Sequence, residues 1–427
     1  MTIEILYEIF LCSSGVCTDT RKITPDCLFF SLKGDNFNGN EYALEALDAG
    51  AKYAVVDETI DASNDQLLLV DDALSSLQQL ANYHRHQLSI PVIGITGSNG
   101  KTTTKELMRE VLAMKYLVHS TAGNFNNHIG VPLTLLSMPK ETEIAIIEMG
   151  ANHVGEIAAL CEIAEPTHGI ITNIGRAHLE GFGGIEGVIR GKSELYHFLI
   201  QNDGIAFINS NNEILFNMSK RFQNPICYPA AGDFYHCTLL EANPFVHVES
   251  SSGLLIQSQL IGEYNFENIA AALCIGSYFE VPEKQMQEAI EHYVPENNRS
   301  QIVQTANNLI ILDAYNANPN SMHAALENLA NLSAERKVAI LGDMLELGAD
   351  SDLEHEKIGI KLAELNLDQA LVCGQHSRPI KKGNPDVQYF NKKEDLVDYL
   401  KKHPIKNANI LVKASRGMGL ESLVEYL

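Results

Sequence analysis

The sequence is poor in basic residues, with 31 Lys and Arg against 54 Asp and Glu. The resulting formal charge of −23 repels phosphate backbones and anionic lipid, which disfavours nucleic acid or a membrane surface as a partner. No apolar run approaches the roughly 18 residues of a membrane-spanning helix, so no span is expected. The N-terminus carries Glu4 and Glu8 where a secretory signal would have Lys or Arg. These absences predict a cytoplasmic protein.

Cysteine is also sparse and scattered. The eight cysteines form no Cys-X-X-Cys pair, which argues against a disulfide framework or a structural zinc site and favours buried thiols in a reducing compartment. The 30 glycines and 14 prolines do not cluster into a low-complexity linker, and no internal repeat is evident. With 45% apolar residues, this composition predicts a globular chain of two or three domains.

Apolar runs alternate with helical periodicity along most of the chain. The alternation is clearest from the run Pro91-Val-Ile-Gly-Ile-Thr96 onward, and it is typical of βαβ units on a parallel sheet. A further set of strand-like runs begins after Pro295 and predicts a sheet of its own. We therefore expect an α/β fold with three domains that touch and move against each other, at residues 1–88, 89–296 and 297–427.

The strongest local signal is a glycine-rich loop between a strand and a helix, Gly94-Ile-Thr-Gly97-Ser-Asn-Gly100-Lys101-Thr102-Thr103. Glycines let backbone amides turn towards phosphate oxygens, and the N-terminus of a helix adds partial positive charge. Lys101 is expected to reach the β- and γ-phosphates, and the hydroxyl of Thr102 to bind Mg²⁺. The general P-loop pattern has glycine where this chain has Ile95, so the spacing is a specialised one. The context favours a phosphate site over a plain glycine turn.

Three further residues draw attention by their position. Glu148 ends the apolar run Glu143-Ile-Ala-Ile-Ile-Glu148, which predicts a carboxylate at the phosphate edge of a parallel sheet. His178 follows the next strand-like run, and Lys192 lies in the helical stretch after it. Taken singly, a carboxylate at a strand end, a loop histidine and a helical lysine are all common without any site. Local sequence predicts a surface position for Lys192.

Taken together, the spaced motifs resemble those of the ATP-dependent Mur ligases, which assemble the peptidoglycan precursor. The resemblance covers essentially the whole chain. It rests on Thr-Gly-Ser-Asn-Gly-Lys-Thr at 96–102, Glu-Met-Gly at 148–150, Ala-His-Leu-Glu-Gly-Phe-Gly at 177–183, Lys192, Gly-Glu-Tyr-Asn-Phe-Glu-Asn at 262–268, Asn-Arg at 298–299 and Asp313. Segment 18–34 resembles the members that add the third residue and the final dipeptide. Segments 124–136, 313–319 and 341–348 are most similar to the dipeptide-adding member.

The resemblance implies an ATP-dependent ligase that joins D-alanyl-D-alanine to UDP-N-acetylmuramoyl-tripeptide through an acyl phosphate. It also implies an N-terminal α/β domain for the UDP-substrate, a central P-loop ATPase domain with a parallel sheet, and a C-terminal Rossmann-like domain. Two Mg²⁺ ions and a Lys192 carbamylated by CO₂ belong to the same expectation. We expect a monomer with no nucleic-acid or membrane partner.

The same resemblance assigns roles to individual residues. The nucleotide is expected to be bound by Gly97, Ser98, Asn99, Gly100, Lys101, Thr102, Thr103, Asn265, Asn268, Arg299 and Asp313. The metal ions are expected to be held by Thr102, Glu148, His178 and modified Lys192, and the catalytic set is Lys101, Glu148, His178 and Lys192. Thr20, Arg21 and Asn127 are expected to contact the UDP-sugar peptide. Structural alternatives stay open for Asn265 and Asn268 as residues that cap a helix or pair within it, for Asp313 as a turn residue, for Asp343 and Glu346 as loop supports, and for 413–416 as a solvated basic stretch.

Two other functions stay open at this point. A folylpolyglutamate-synthase-like ligase would share the P-loop and the acyl-phosphate route, although segment 18–34 and the run Asn-Asn-His-Ile-Gly-Val-Pro argue against it. A P-loop regulatory switch would have little use for two further domains. The third residue of the acceptor peptide is left open between meso-diaminopimelate and lysine, and no residue is assigned as the base for the incoming amine.

Overall fold

The computed structural model describes residues 1–61, 63–296 and 298–427, and these form an α/β fold with two large sheets and a smaller parallel one. The alternation of apolar runs with helical stretches predicted seven of the twelve strands of the two large sheets. Each large sheet has six strands, and the central one is parallel throughout. The predicted parallel architecture is therefore confirmed.

The N-terminal segment contains the smaller parallel sheet. Its strands are β1 (Val16–Cys17), β2 (Leu28–Phe30), β3 (Lys33–Gly34), β4 (Phe37–Asn38), β5 (Tyr53–Val56) and β6 (Leu67–Leu69). Its helices are α1 (Ile3–Leu11), α2 (Ala43–Asp48) and α3 (Ala73–His86). The sheet has the order β1-β2-β5-β6, and β3 pairs with β4. Helix α3 begins at a capping carboxylate, since Asp72 accepts a hydrogen bond from the amide of Ser75 at 2.6 Å.

The central segment is built on the sheet that carries the glycine-rich loop. Its strands are β7 (Val92–Thr96), β8 (Val118–Ser120), β9 (Ile144–Glu148), β10 (His168–Ile171), β11 (Ile205–Asn209) and β12 (Ile226–Tyr228). Its helices are α4 (Lys101–Ala113), α5 (Gly130–Leu136), α6 (Glu156–Ala164), α7 (Leu179–Phe182), α8 (Ile185–Gln201), α9 (Glu213–Ser219), α10 (Asn265–Tyr278) and α11 (Glu283–His292). The order β12-β11-β10-β7-β9-β8 places β7 between β9 and β10. The segments that follow these three strands therefore meet at one edge.

A three-stranded antiparallel sheet follows in the same segment. It consists of β13 (Cys237–Ala242), β14 (Phe245–Ser250) and β15 (Leu255–Ile261), in that order. Val246 and Val248 of β14 are buried and alternate with His247 and Glu249, as expected for a strand with one covered face. The sequence analysis did not predict this sheet.

The C-terminal segment forms the second large sheet. Its strands are β16 (Gln301–Gln304), β17 (Asn308–Asp313), β18 (Lys337–Leu341), β19 (Gln369–Cys373), β20 (Gln388–Phe390) and β21 (Ala408–Lys413). Its helices are α12 (Pro319–Asn331), α13 (Ser351–Glu364), α14 (Ile380–Gly383) and α15 (Lys393–Lys402). The order is β16-β17-β21-β18-β19-β20, with β16 antiparallel to β17 and the others parallel.

The two junctions between the segments differ in character. Buried apolar residues of the N-terminal segment, among them Leu77 and Leu80, belong to the same core as Leu135 and Ile147 of the central segment. The C-terminal segment has its own cores on the two faces of its sheet, and one of them also includes Ile261 of β15. It meets the central segment near the glycine-rich loop through polar contacts, one of which joins Arg176 to the buried carboxylate of Glu354 at 2.8 Å. Domain boundaries at 88 and 297 stay a prediction.

We expect Arg176→Ala to loosen this polar junction. The substitution leaves Glu354 paired only with Lys357 and removes a contact between two separately packed segments, so the thermal midpoint should change little. Small-angle scattering of the unliganded chain should show a radius of gyration above the roughly 22 Å of a compact chain of this length. Arg190→Ala, at an exposed position, serves as the control. Superimposable curves for the two variants would contradict the expectation.

Candidate active site

A cleft of about 900 Å³ lies between the segments that follow β7, β9 and β10 and the facing surface of the C-terminal segment. Most of the residues that the sequence analysis selected line it. They are Ser98, Asn99, Gly100, Lys101, Thr102, Thr103, Asn127, Glu148, His178, Asn265, Asn268, Arg299 and Asp313. The fold thus brings together residues that are more than 200 positions apart in the chain.

Two glycines give the loop after β7 its shape. Gly97 has a φ of +145°, and a Cβ there would lie 2.0 Å from Oγ1 of Thr172. Gly100 has a φ of +77°, and its Cβ would lie 2.5 Å from Oδ1 of Asn268. Both positions require glycine. A residue with a side chain would be strained at these positive φ angles, and its Cβ would clash with the neighbouring side chain.

The hydrogen bonds of the loop show which amides remain available. The amides of Ser98 and Asn99 donate to the backbone and side-chain oxygens of Asn173, at 3.0 and 2.9 Å. The first amides of α4, from Lys101 to Thr103, have no acceptor within the helix by its geometry. The ammonium of Lys101 donates to the carbonyl of Gly97 at 2.7 Å, and burial lowers the pKa of Lys101. The free donors thus lie at the start of the helix, where an anion is favoured.

Glu148 faces this helix start because β9 lies beside β7, with Glu148 opposite Ile95 in the register. Its carboxylate is almost fully buried and both of its oxygens accept hydrogen bonds. One comes from the hydroxyl of Thr102 at 3.0 Å and the other from the side-chain amide of Asn126 at 2.9 Å. The ammonium of Lys105 lies 3.9 Å from the carboxylate. Asn126 and Lys105 were not selected from the sequence, although both lie within or beside the quoted motifs.

This pair of oxygens fits a magnesium ion that is also bound by a nucleotide. Mg²⁺ is commonly held by one or two protein oxygens together with phosphate oxygens and water. Among the residues that the structure describes, no group of three His, Cys, Asp or Glu side chains could hold a metal ion without such help. Thr102 and Glu148 therefore fit a metal that arrives with phosphate, rather than a metal caged by protein.

His178 lies on the same cleft but is held from the opposite side. It precedes α7 with a φ of +52°, a left-handed conformation that is uncommon outside glycine. Its Nδ1 contacts the carboxylate of Glu346, which belongs to the C-terminal segment. The sequence analysis left Glu346 open between a site role and a loop support.

Lys192 lies behind the wall of the cleft and not on it. The side chain is 1% exposed, its ammonium donates to the carbonyl of Ala151 at 3.2 Å, and it lies 5.2 Å from the ring centroid of Phe182. Burial, and then the charge of Lys101, lower the pKa of Lys192 to about 7. The surface position predicted from local sequence is wrong, because α8 turns this face towards α6 and β10.

The amides of Asn265 and Asn268 are engaged inside the protein. Asn268 donates to Oδ1 of Asn265 at 2.8 Å and accepts from the hydroxyl of Thr104 at 3.0 Å. Asn265 donates to the carbonyl of Ile261 at 2.8 Å. The two asparagines thus pair within α10, as the structural alternative expects, and the bond from Thr104 joins α10 to α4. Contact of the two residues with adenine stays a prediction.

The C-terminal wall carries most of the cationic groups. Asp313 and Lys413 end the neighbouring strands β17 and β21 opposite each other and form an ion pair. The guanidinium of Arg299 lies 3.6 Å from the ring centroid of Tyr315, and that of Arg416 lies 5.0 Å from it. Arg299 and the Asp313–Lys413 pair line the cleft, so the positive charge on this wall comes mainly from Arg299.

The same wall reaches the glycine-rich loop directly. The side-chain amide of Asn318 donates to Oδ1 of Asn99 at 2.6 Å. Asn318 also caps α12, since its Oδ1 accepts from the amide of Ser321 at 2.9 Å. The loop and the C-terminal segment are thus joined through a helix cap, which the sequence analysis did not predict.

A second cavity, of about 920 Å³, lies between the N-terminal and central segments. Its lining includes the basic or imidazole side chains of Lys22, His84, His119 and Lys140, together with apolar residues such as Phe10 and Leu133. Asn127 lines both this cavity and the cleft. Thr20 and Arg21 line neither, and Arg21 pairs with Asp19, which lies on the rim of the second cavity, at 2.8 Å.

Comparison with protein families gives two matches. Residues 95–276 match the Mur ligase middle domain, and residues 298–416 match the Mur ligase, glutamate ligase domain. A UDP-N-acetylmuramoyl-tripeptide–D-alanyl-D-alanine ligase of Bacillus subtilis is 36% identical, with 97% of this chain and 93% of that protein covered. The ligase of the same name from Escherichia coli is 33% identical over the same shares.

Solved structures show the same relationship. MurF from Acinetobacter baumannii has a TM-score of 0.88 at 32% identity, with 96% of this chain and 92% of that one covered. MurF ligase from Thermotoga maritima in complex with ADP has a TM-score of 0.86 at 27% identity, with 98% and 97% covered. A folylpolyglutamate synthase of Mycobacterium tuberculosis has a TM-score of 0.58 at 15% identity, which is a likeness of fold alone, over 83% of this chain and 94% of that one.

Proposed function

Because this chain belongs to the Mur ligase family, we propose that it joins D-alanyl-D-alanine to UDP-N-acetylmuramoyl-tripeptide at the expense of ATP. It is an ATP-dependent peptide ligase of peptidoglycan synthesis, with the pentapeptide precursor, ADP and phosphate as products. The observation that carries the assignment of the reaction centre is the Thr102–Glu148 hydrogen bond at the start of α4. This bond places two oxygen ligands suited to magnesium, the hydroxyl of Thr102 and the carboxylate of Glu148, beside Lys101 and the free amides at the start of α4.

The chemistry explains why such a centre suffices. A carboxylate does not acylate an amine at neutral pH, because oxide would have to leave. Transfer of the γ-phosphoryl group to the carboxylate gives an acyl phosphate, which the amine of D-alanyl-D-alanine attacks with loss of inorganic phosphate. Phosphoryl transfer depends mainly on positioning and on stabilisation of charge. The enzyme therefore requires no nucleophile of its own.

Each part of the cleft has a task in this scheme. The amides at the start of α4 and the ammonium of Lys101 face the triphosphate and stabilise the charge of the transferred group. Thr102 and Glu148 would hold a magnesium ion, which neutralises phosphate charge when it is bound. Arg299 and Asp313 contact the nucleotide from the C-terminal wall. This distribution makes docking of the two segments a condition for the reaction.

The two cavities suggest where the substrates lie. The nucleotide occupies the cleft, and the UDP-sugar peptide occupies the second cavity, where Lys22 and Lys140 offer positive charge for its diphosphate. Asn127 lines both cavities and marks the point at which the peptide carboxylate meets the γ-phosphate. Thr20 and Arg21, near the rim, would contact the same substrate.

His178 and a carbamylated Lys192 would hold a second magnesium ion, which would neutralise further phosphate charge. The burial and lowered pKa of Lys192 support it, because CO₂ adds only to the neutral amine. We also propose a cytoplasmic monomer. The eight unpaired thiols within the described residues suit a reducing compartment, and no helix in that part of the chain has the length and apolarity needed to cross a bilayer.

The proposed function predicts a product that mass spectrometry can identify. The chain is incubated with ATP, Mg²⁺, D-alanyl-D-alanine and a UDP-tripeptide that carries either meso-diaminopimelate or lysine. We expect the mass of the pentapeptide precursor with one of the two, and release of ADP only when both organic substrates are present. A regulatory switch would instead release ADP at a basal rate without them. Basal release with no pentapeptide from either tripeptide would refute the ligase assignment.

A further inference from the structure

One contact between the central and C-terminal segments joins two residues in unusual backbone conformations. His178 has a φ of +52° and Glu346 a φ of +64°, both in the left-handed region that non-glycine residues seldom adopt. The Nδ1 of His178 and the carboxylate of Glu346 meet across the junction. Backbone strain of this kind persists where the surrounding structure fixes it, often at functional sites.

The contact also determines which ring nitrogen of His178 is free. With Nδ1 directed at Glu346, the nitrogen left for the cleft is Nε2. A histidine that binds a metal through one ring nitrogen commonly donates a hydrogen bond to a carboxylate through the other, which fixes the tautomer and the orientation of the ring. Nδ1 of His178 and the carboxylate of Glu346 are close enough for this contact, although they lack the alignment of a hydrogen bond, and the carboxylate is supplied by another segment of the chain.

We propose that Glu346 is a positioning residue that holds the ring of His178 with Nε2 towards the cleft, so that the second metal site is complete only while the C-terminal segment is docked. This inference rests on the proposed function, since it assigns the second metal to His178. It gives a role to the run Leu-Gly-Asp-Met-Leu-Glu-Leu-Gly at 341–348, which the nucleotide site leaves without one.

Other contacts at the junction allow the positioning role of Glu346 to be distinguished from a role in docking the C-terminal segment. Arg176 pairs with Glu354 and Asn318 bonds to Asn99, so the junction keeps two other polar contacts when Glu346 is changed. In the same run, Asp343 is engaged elsewhere: it accepts hydrogen bonds from the amide and hydroxyl of Ser377, at 2.8 and 2.7 Å. Asp343 therefore supports the loop, whereas Glu346 reaches the cleft histidine.

The test counts bound metal without turnover. Mn²⁺ is titrated into the full chain with a non-hydrolysable ATP analogue and the UDP-tripeptide, and the free ion is measured by electron paramagnetic resonance. Wild type should bind two Mn²⁺ ions. Glu346→Ala should retain the first and bind the second about 10- to 100-fold more weakly. Glu346→Gln keeps a hydrogen-bond acceptor and should lie between them, while Glu335→Ala, at an exposed position, should match wild type.

Two further measurements decide the outcome. Small-angle scattering and the thermal midpoint of Glu346→Ala should match those of wild type, because the Glu346 side chain is 56% exposed and the pair of Arg176 with the buried carboxylate of Glu354 remains. Equal affinity for the second Mn²⁺ in Glu346→Ala and wild type would overturn the inference. A weaker affinity accompanied by a larger radius of gyration would also overturn it, because the change would then be due to opening of the junction. A wild-type chain that forms no pentapeptide would instead refute the proposed function.

Discussion

Replacing Lys101 by alanine is expected to abolish ligation, with a loss on the order of 10³-fold or more, while the fold stays intact. The ammonium belongs to the first residue of α4 and donates to the carbonyls of Gly97 and Ser98, at 2.7 and 3.5 Å, neither of which neutralises its charge. Its charge is therefore available to the transferred phosphoryl group. Product formation by mass spectrometry gives the rate, and the thermal midpoint reports the fold.

Lys284→Ala is the matched control for this prediction, because it removes the same charge from an exposed position on α11. It should leave turnover and midpoint unchanged. The pKa of Lys101 is lowered by burial, so its removal relieves a desolvation cost and should not destabilise the chain. Near-normal turnover in Lys101→Ala would show that the loop is not the phosphate site.

The second large effect is expected at Lys192. In the carbamate form this side chain offers oxygen ligands where an ammonium would repel both the metal and Lys101. Lys192→Ala should lose activity by roughly 10²-fold or more, and short carboxylic acids in the buffer should restore part of it by occupying the vacated oxygen positions. Lys192→Met fills the apolar space without an amine. It should be as inactive as Lys192→Ala, but short carboxylic acids should not restore its activity.

The pH dependence of this effect has a definite sign. With a pKa of about 7, the amine is increasingly neutral as pH rises through 7, so carbamylation and CO₂-dependent activity should fall below that pH. Between about 7 and its ordinary value of 10.5, the unfolded chain binds more protons than the folded one, so stability should rise with pH in that window. Wild-type activity that is indifferent to CO₂, together with an active Lys192→Ala, would refute the carbamate.

Periodicity predicted seven of the twelve strands of the two large sheets, because apolar strands and amphipathic helices differ in their spacing along the chain. The strands β8, β11, β12, β16 and β20 were not predicted. The antiparallel sheet from Cys237 to Ile261 was missed, although the alternation around Val246 was present. The sheet lies within a segment that was interpreted as βαβ units, and one short alternating run was not enough to indicate an antiparallel sheet in that segment. The predicted residues of the glycine-rich loop depend on local geometry, so the motif was sufficient to place them.

Contacts across the junctions could not be predicted in the same way. Asn318 and Glu346 reach the cleft only because the C-terminal sheet docks on the central one, and docking leaves no periodic signal in the chain. Lys192 illustrates the same limit within one segment. Its burial depends on which face of α8 the sheet covers, and a lysine on that face contradicts the amphipathic pattern.

The N-terminal and central segments share a hydrophobic core, so the predicted domain boundary at residue 88 does not separate two independent folding units. Helix α3 packs on α5 and α6, and Leu77 and Leu80 are wholly buried at that side of the chain. Exposing either leucine would cost about 1.5–3 kcal/mol, a large fraction of a typical folding free energy. We therefore expect the part of residues 1–88 that shares this core to fold together with the central sheet. We therefore expect strain introduced among the helices beneath the second cavity to affect the central sheet, and we expect the C-terminal segment, whose cores include Ile261 and Phe245 from the central segment but are otherwise its own, to unfold more independently.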